Sequence, residues 1–131
     1  MKRDLMRYDL HIDMLERDAG IGDERAIELL RGEFALAQNA GRFDAVTGDH
    51  IAIGAVTRST PQEGVTRYAI ELRLTERAVG LDDERAEAVL QRAFTDALNA
   101  SYFLRLTLDD DLMVTLLERQ PADAAPVSVS V

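Results

Sequence analysis

Asp9, His11 and Asp13 alternate along one short stretch, which sets carboxylate, imidazole and carboxylate on one side of an extended backbone. These are metal-ligand types, but positions 9 to 13 along a strand spread over roughly 13 Å, too far to close on one ion. The expectation is a solvated strand face and no metal site. His50 is the only other histidine, and no pattern pairs it with His11. Asp109, Asp110 and Asp111 start like a calcium loop but lack its alternate spacing, mid-loop glycine and closing glutamate, so they read as an acidic turn. The chain has no cysteine, which removes disulfides and thiolate metal centres. It has no Gly-x-Ser-x-Gly, and Gly20-Ile21-Gly22 lacks the third glycine of a dinucleotide fingerprint. No catalytic residue is assigned, and no cofactor is expected.

A second set of polar residues stands out because it occurs twice. Slid against itself by 60 positions, the segment 7–40 matches 67–100 at 14 of 34 places without a gap, where unrelated segments give roughly two or three. Arg7-Tyr8 falls on Arg67-Tyr68, Glu16-Arg17 on Glu76-Arg77, and Glu24-Arg25 on Glu84-Arg85. Such pairs could be two anion or acid–base sites beside helix N-termini. The simpler reading is that each ties a strand end to a helix start by ion pairs, with Tyr at the start of a buried face and Arg solvated at its edge.

The elements that position these residues follow from periodicity. Tyr8, Leu10, Ile12 and Met14, and Tyr68, Ile70, Leu72 and Leu74, alternate with other residues at period two, the mark of a half-buried strand. A glycine-bearing loop follows (Gly20 or Gly80), then a helix with Gly22 or Asp82 as N-cap and two acids in its first turn. Positions 26, 29, 30, 34, 37 and 40, and 86, 89, 90, 94, 97 and 100, trace one apolar helical face. Asn39-Ala40-Gly41 and Asn99-Ala100-Ser101 close the helices. Two further strands are expected after each: 42–47 and 50–58 around Gly48-Asp49, and 102–108 and 112–118 around Asp109-Asp110.

The fold class that results is α+β: an internally duplicated βαββ–βαββ chain with two helices on one face of a mixed or antiparallel sheet, pseudo-twofold symmetric. Residues 1–120 make one domain of two repeats, 7–58 and 67–118, joined by a connector at 59–66. Residues 121–131 form a Pro/Ala-rich tail that ends in the alternating Val127-Ser128-Val129-Ser130-Val131. At 131 residues the chain can bury a core without staples.

The third strand of each unit, 51–56 and 112–117, is apolar on both sides, and such a strand is normally covered on both. The expected partner is a second copy, meeting the sheet face or the third strands. With 15 basic against 24 acidic residues, a net charge of −9, nucleic acid and anionic membrane are not expected partners. No apolar run approaches the ~20 residues of a membrane span. Met1-Lys2-Arg3-Asp4-Leu5 has no apolar stretch behind its basic residues, so no signal peptide and a cytoplasmic location are expected. Aromatic content of 5% is low for a large ligand pocket, and no small-molecule ligand is identified.

The expected function is thus a non-catalytic, self-associating structural or interaction subunit. In element order the duplicated β-α-β unit also resembles the tautomerase superfamily, which implies a cofactor-free trimeric enzyme of two such units. That family's amino-terminal proline has no counterpart here, where position 2 is Lys2, so no residue role transfers. A ferredoxin-like ligand-binding module that dimerises through its sheet is the third reading.

Overall fold

The computed structural model describes residues 5–18 and 20–122, with 108–111 taken by backbone alone. Six elements follow one another: β1 (Leu5–Glu16), α1 (Asp23–Asn39), β2 (Ala52–Gln62), β3 (Val65–Thr75), α2 (Asp83–Asn99) and β4 (Thr107–Pro121). The chain is α+β, and its four strands make one sheet in the order β2-β3-β1-β4. Every neighbouring pair is antiparallel, so the mixed alternative falls away. The two helices are each 17 residues long and begin 60 positions apart.

Alternation decides which side of the sheet is dry. Tyr8, Leu10, Ile12 and Met14 of β1 and Tyr68, Ile70, Leu72 and Leu74 of β3 all point into the core. There they meet Ala26, Leu30, Phe34 and Ala37 of α1 and Ala86, Leu90, Phe94 and Ala97 of α2, in a single cluster. Both helices therefore cover the same face. Ala40 was expected on the buried helical stripe but is exposed, because the helix ends at Asn39 and Ala40 is its C-cap. Gly22 and Asp82 are the N-caps, and the Asp82 carboxylate accepts the Arg85 N–H at 2.8 Å.

The strand count differs from the expected βαββ–βαββ. Segments 42–47 and 102–106 do not form the second strands, and 107–108 open β4 instead; the chain is βαββαβ. After α1, Arg42 N–H bonds back to Ala37 and Thr47 N–H to Phe43, so these groups are satisfied locally rather than by a ladder. Tyr102 and Thr107 do the same toward Ala97 and Phe103. The tight turns carry Phe43 and Phe103 beneath the helices. The chain's four phenylalanines form one chain of contacts there, with centroids 4.6 Å (Phe34–Phe43), 5.0 Å (Phe43–Phe94) and 5.6 Å (Phe94–Phe103) apart. That burial outweighs the strand propensity of the segments.

The stretch 59–66, expected as a connector, is mostly strand. β2 runs to Gln62, β3 starts at Val65, and Glu63-Gly64 makes the turn with Gly64 at φ +83°. Asp109 and Asp110 fall inside β4, not in a turn between strands. The backbone bulges there: Met14 pairs with Leu112, but Glu16 pairs with Thr107. The tail from 123 onward and Lys2 lie outside the described residues.

Candidate functional site

Two clusters of polar side chains sit at opposite ends of the central strand pair. In one, Glu16 at the end of β1 receives a fork from Arg58 of β2, Nε to Oε2 at 3.0 Å and a second nitrogen to Oε1 at 2.5 Å. The Tyr68 hydroxyl of β3 donates to the same carboxylate at 2.5 Å. Arg58 also reaches Asp23 in the first turn of α1.

The other cluster repeats the chemistry. Arg119 of β4 forks onto Glu76 at 2.6 and 2.8 Å, the Tyr8 hydroxyl of β1 donates to Glu76, and Arg119 reaches Asp83 in the first turn of α2 at 3.0 Å. Both Arg–Glu pairs are removed from water: the side chains are 10% and 5% exposed in the first, 12% and 13% in the second.

Titration follows from this packing. Burial, then the bond to a glutamate, holds the Tyr8 and Tyr68 hydroxyls well above their usual range. Burial pushes the Glu16 carboxyl up, but Arg58 and Tyr68 outweigh it and the net shift is downward. The glutamates raise Arg58 and Arg119 against the opposing effect of burial. The tyrosines donate as neutral phenols and the arginines stay charged, so each cluster is a closed set of donors and acceptors that ties strand end to helix start.

The sequence pointed to Glu16, Glu76, Tyr8 and Tyr68 through their repetition, and missed Arg58 and Arg119. Those two are 61 positions apart, not 60, because β4 shifts register by one residue between the partners of Asp9 and Leu10. Arg17 and Arg77 turn to backbone instead: Arg17 Nε donates to Leu104 O at 2.6 Å and Arg77 Nε to Asp44 O at 2.5 Å. Arg25 pairs with Glu28 one helical turn away at 2.9 Å, so the Glu24-Arg25 motif does not tie strand to helix; Asp23 and Asp83 do.

The second feature is the side of the sheet that neither α1 nor α2 covers. Asp9, His11 and Asp13 lie on it, in register with Glu71, Ala69 and Arg67 of β3. Arg67 clasps Asp13 through two bonds of 2.8 and 2.9 Å, and this holds the Asp13 carboxyl below its usual range. Arg7 stands 3.4 to 3.9 Å from Asp9, Glu118 and Glu71, and Arg73 pairs with Glu71 at 3.3 Å. Arg7 Nε is buried and has no hydrogen-bond acceptor among the described residues. Met113 and Leu117 of β4 stand out on this face at 64% and 54% exposure. Leu112 and Val114, from the same apolar run, are buried in the core.

His50 precedes β2, whose Ala52 pairs with Arg73, four residues along β3 from Ala69, the partner of His11. His11 is thus on β1, while His50 lies ahead of β2 and at a different height along the sheet. Among the described residues no group of three or more His, Asp or Glu side chains could hold a metal ion.

The sheet edges are treated differently from the face. On β2, Arg31 donates to the Gly54 carbonyl at 2.7 Å, and Gln38 accepts the Ile51 N–H just before the strand. On β4, Gln91 bonds the Leu112 carbonyl at 3.0 Å and the Val114 N–H at 2.7 Å, while Glu87 accepts the Leu116 N–H at 2.8 Å. Helix side chains thus occupy backbone groups that would otherwise pair with a foreign strand. No helix among the described residues is long and apolar enough to cross a membrane. No protein-family model matches this chain, and no curated protein matches it in sequence.

Proposed function

We propose that this chain is a duplicated, ferredoxin-like module that acts as a non-catalytic structural or interaction subunit, associating with itself through the uncovered sheet face. The βαββαβ order with an antiparallel β2-β3-β1-β4 sheet supports the fold reading. The 60-residue offset shared by the helices and by the Tyr–Glu pairs supports the duplication. For the association, the carrying observation is Met113 and Leu117 standing on a sheet face that neither helix covers.

Charge favours a second copy as the occupant. Three arginines (7, 67, 73) stand against four carboxylates (9, 13, 71, 118) on this face, one net negative charge out of the chain's −9. Two copies meeting here suffer little of the repulsion that their other surfaces would impose. The occupied edge groups on β2 and β4 disfavour edge-to-edge pairing as the alternative.

Size sets the strength. Four strands at ~4.8 Å spacing and ten residues at ~3.3 Å give a face of roughly 600 Å². A standard interface takes about 800 Å² from each partner, so the association belongs to the weak, reversible class.

Size-exclusion chromatography with light scattering from low to high micromolar concentration tests this. The mass should climb toward twice the monomer value, and Met113→Lys with Leu117→Lys should hold it at the monomer. A wild-type chain that stays monomeric throughout overturns the proposal.

A further inference from the structure

The two halves of the chain are interleaved in the sheet. Residues 5–62 supply β1 and β2, residues 65–121 supply β3 and β4, and the order β2-β3-β1-β4 puts a strand of the other half between each pair. Neither half can pair its own two strands. Each leaves a one-strand gap that the other fills.

The register shows how alike the two fillings are. Leu5 faces Thr75, Leu10 faces Ile70 and Met14 faces Thr66, so β1 meets β3 about the Leu10–Ile70 pair. An offset of 60 turns Leu10 into position 70 and Ile70 into position 10. That pair therefore sits on the axis relating the halves. The polar seam obeys the same exchange. Tyr8 completes the cluster of Glu76, Arg119 and Asp83, while Tyr68 completes that of Glu16, Arg58 and Asp23. Thr47 Oγ1 donates to Thr75 O at 2.5 Å, and Thr107 Oγ1 to Leu15 O at 3.2 Å. Arg77 N–H bonds Val46 O at 2.9 Å, and Arg17 N–H bonds Leu106 O at 2.7 Å.

We propose that this seam is an intermolecular docking surface as well as an internal one, and that its partner is a second copy of this chain. The 65–121 half of one molecule fills the gap in the 5–62 half of another, and reciprocally. Each polar cluster of the exchanged dimer is then completed by a tyrosine from the other chain. The proposal rests on the duplication put forward above and is independent of the sheet-face association. The internal arrangement is favoured only by the two-residue turn Glu63-Gly64, which holds the second half at an effective concentration on the order of millimolar. Removing that turn leaves the same bonds available but makes the exchanged form the one that can close.

The experiment uses the full chain with Met113→Lys and Leu117→Lys, which take sheet-face association out of play, and with His11→Cys and Ala69→Cys. Positions 11 and 69 face each other across β1 and β3, and the natural chain has no thiol. With Glu63 and Gly64 deleted, oxidation should yield a covalent dimer on a non-reducing gel, with circular dichroism like that of the intact chain. With the turn intact, chains unfolded and refolded reduced should show the covalent dimer on later oxidation in proportion to refolding concentration. About half is expected at ~1 mM and under ~1% at ~1 μM. The refolding arm decides the matter if the deletion variant fails to fold. A disulfide that stays within one chain at ~1 mM refolding concentration overturns the proposal.

Discussion

Tyr68 donates its hydroxyl to Glu16 at 2.5 Å across 52 residues of sequence, from the start of the third strand to the end of the first. The same carboxylate takes both arms of Arg58, so three side chains from three strands share one buried charge pair. A pair so placed adds little net stability when whole but is costly to leave half-made.

Arg58→Met and Arg119→Met should each destabilise the fold by about 3 kcal/mol, since each strands a nearly buried glutamate. For a chain of this length that corresponds to roughly 10–15 °C in Tm. The double variant Arg58→Met with Glu16→Gln should recover part of the loss, because no uncompensated charge remains. Urea unfolding of wild type and the three variants checks this; equal stability of wild type and Arg58→Met would refute the assignment.

The tyrosines give a pH signature. Tyr8 and Tyr68 have folded pKa values raised above the usual 10.0, so the native state holds their protons longer than the unfolded state does. Their contribution is complete below pH 10 and is lost as pH rises beyond it. Glu16 and Asp13 are shifted downward, so their contribution is present above the ordinary carboxylate range and disappears as pH falls through it and below. Absorbance of tyrosinate should show Tyr8 and Tyr68 ionising together with alkaline unfolding. Tyr8→Phe with Tyr68→Phe should abolish that coupled phase.

Ser101 has φ +80°, the conformation that Gly41 adopts at the matching position after the first helix. Ser101→Gly should remove backbone strain and stabilise the protein by ~1 kcal/mol. Gly41→Ala should destabilise it by at least as much, since its Cβ would also lie 3.1 Å from an Asp44 carboxylate oxygen. Thermal denaturation of the pair should show shifts of opposite sign.

Glu33 is the buried carboxylate of α1, and it accepts the N–H of Phe103, itself at φ +68°, at 3.0 Å. Sixty positions away from these two stand Ala93 and Phe43, and Phe43 is not at positive φ. Glu33→Leu should cost about 1–3 kcal/mol by orphaning that donor. Hydrogen exchange at the Phe103 amide should accelerate more than at Phe43.

Much of this architecture was legible beforehand because its physics is local. Alternation at 8–14 and 68–74 and the helical stripes after Gly22 and Asp82 name their own elements. The turns at 42–47 and 102–106 look like strands in sequence because Phe43, Val46, Phe103 and Leu106 are β-prone. Their spacing of three, not two, was the available sign. The distal end of β2 looked like a linker because it is an exposed, polar part of an edge strand with no buried face to betray it. Of the polar clusters, the repeated tyrosines and glutamates were visible. Their arginine partners were hidden by one inserted residue in β4, which only strand pairing reveals.

The Ala122 amide donates to the Leu5 carbonyl at 2.8 Å, so the outermost described turns of backbone close the fold into a near-ring. Such a ring has no privileged opening. A circular permutant that joins these two strand ends through a short turn and opens at Glu63-Gly64 should be made second half first and still keep every strand beside its neighbour.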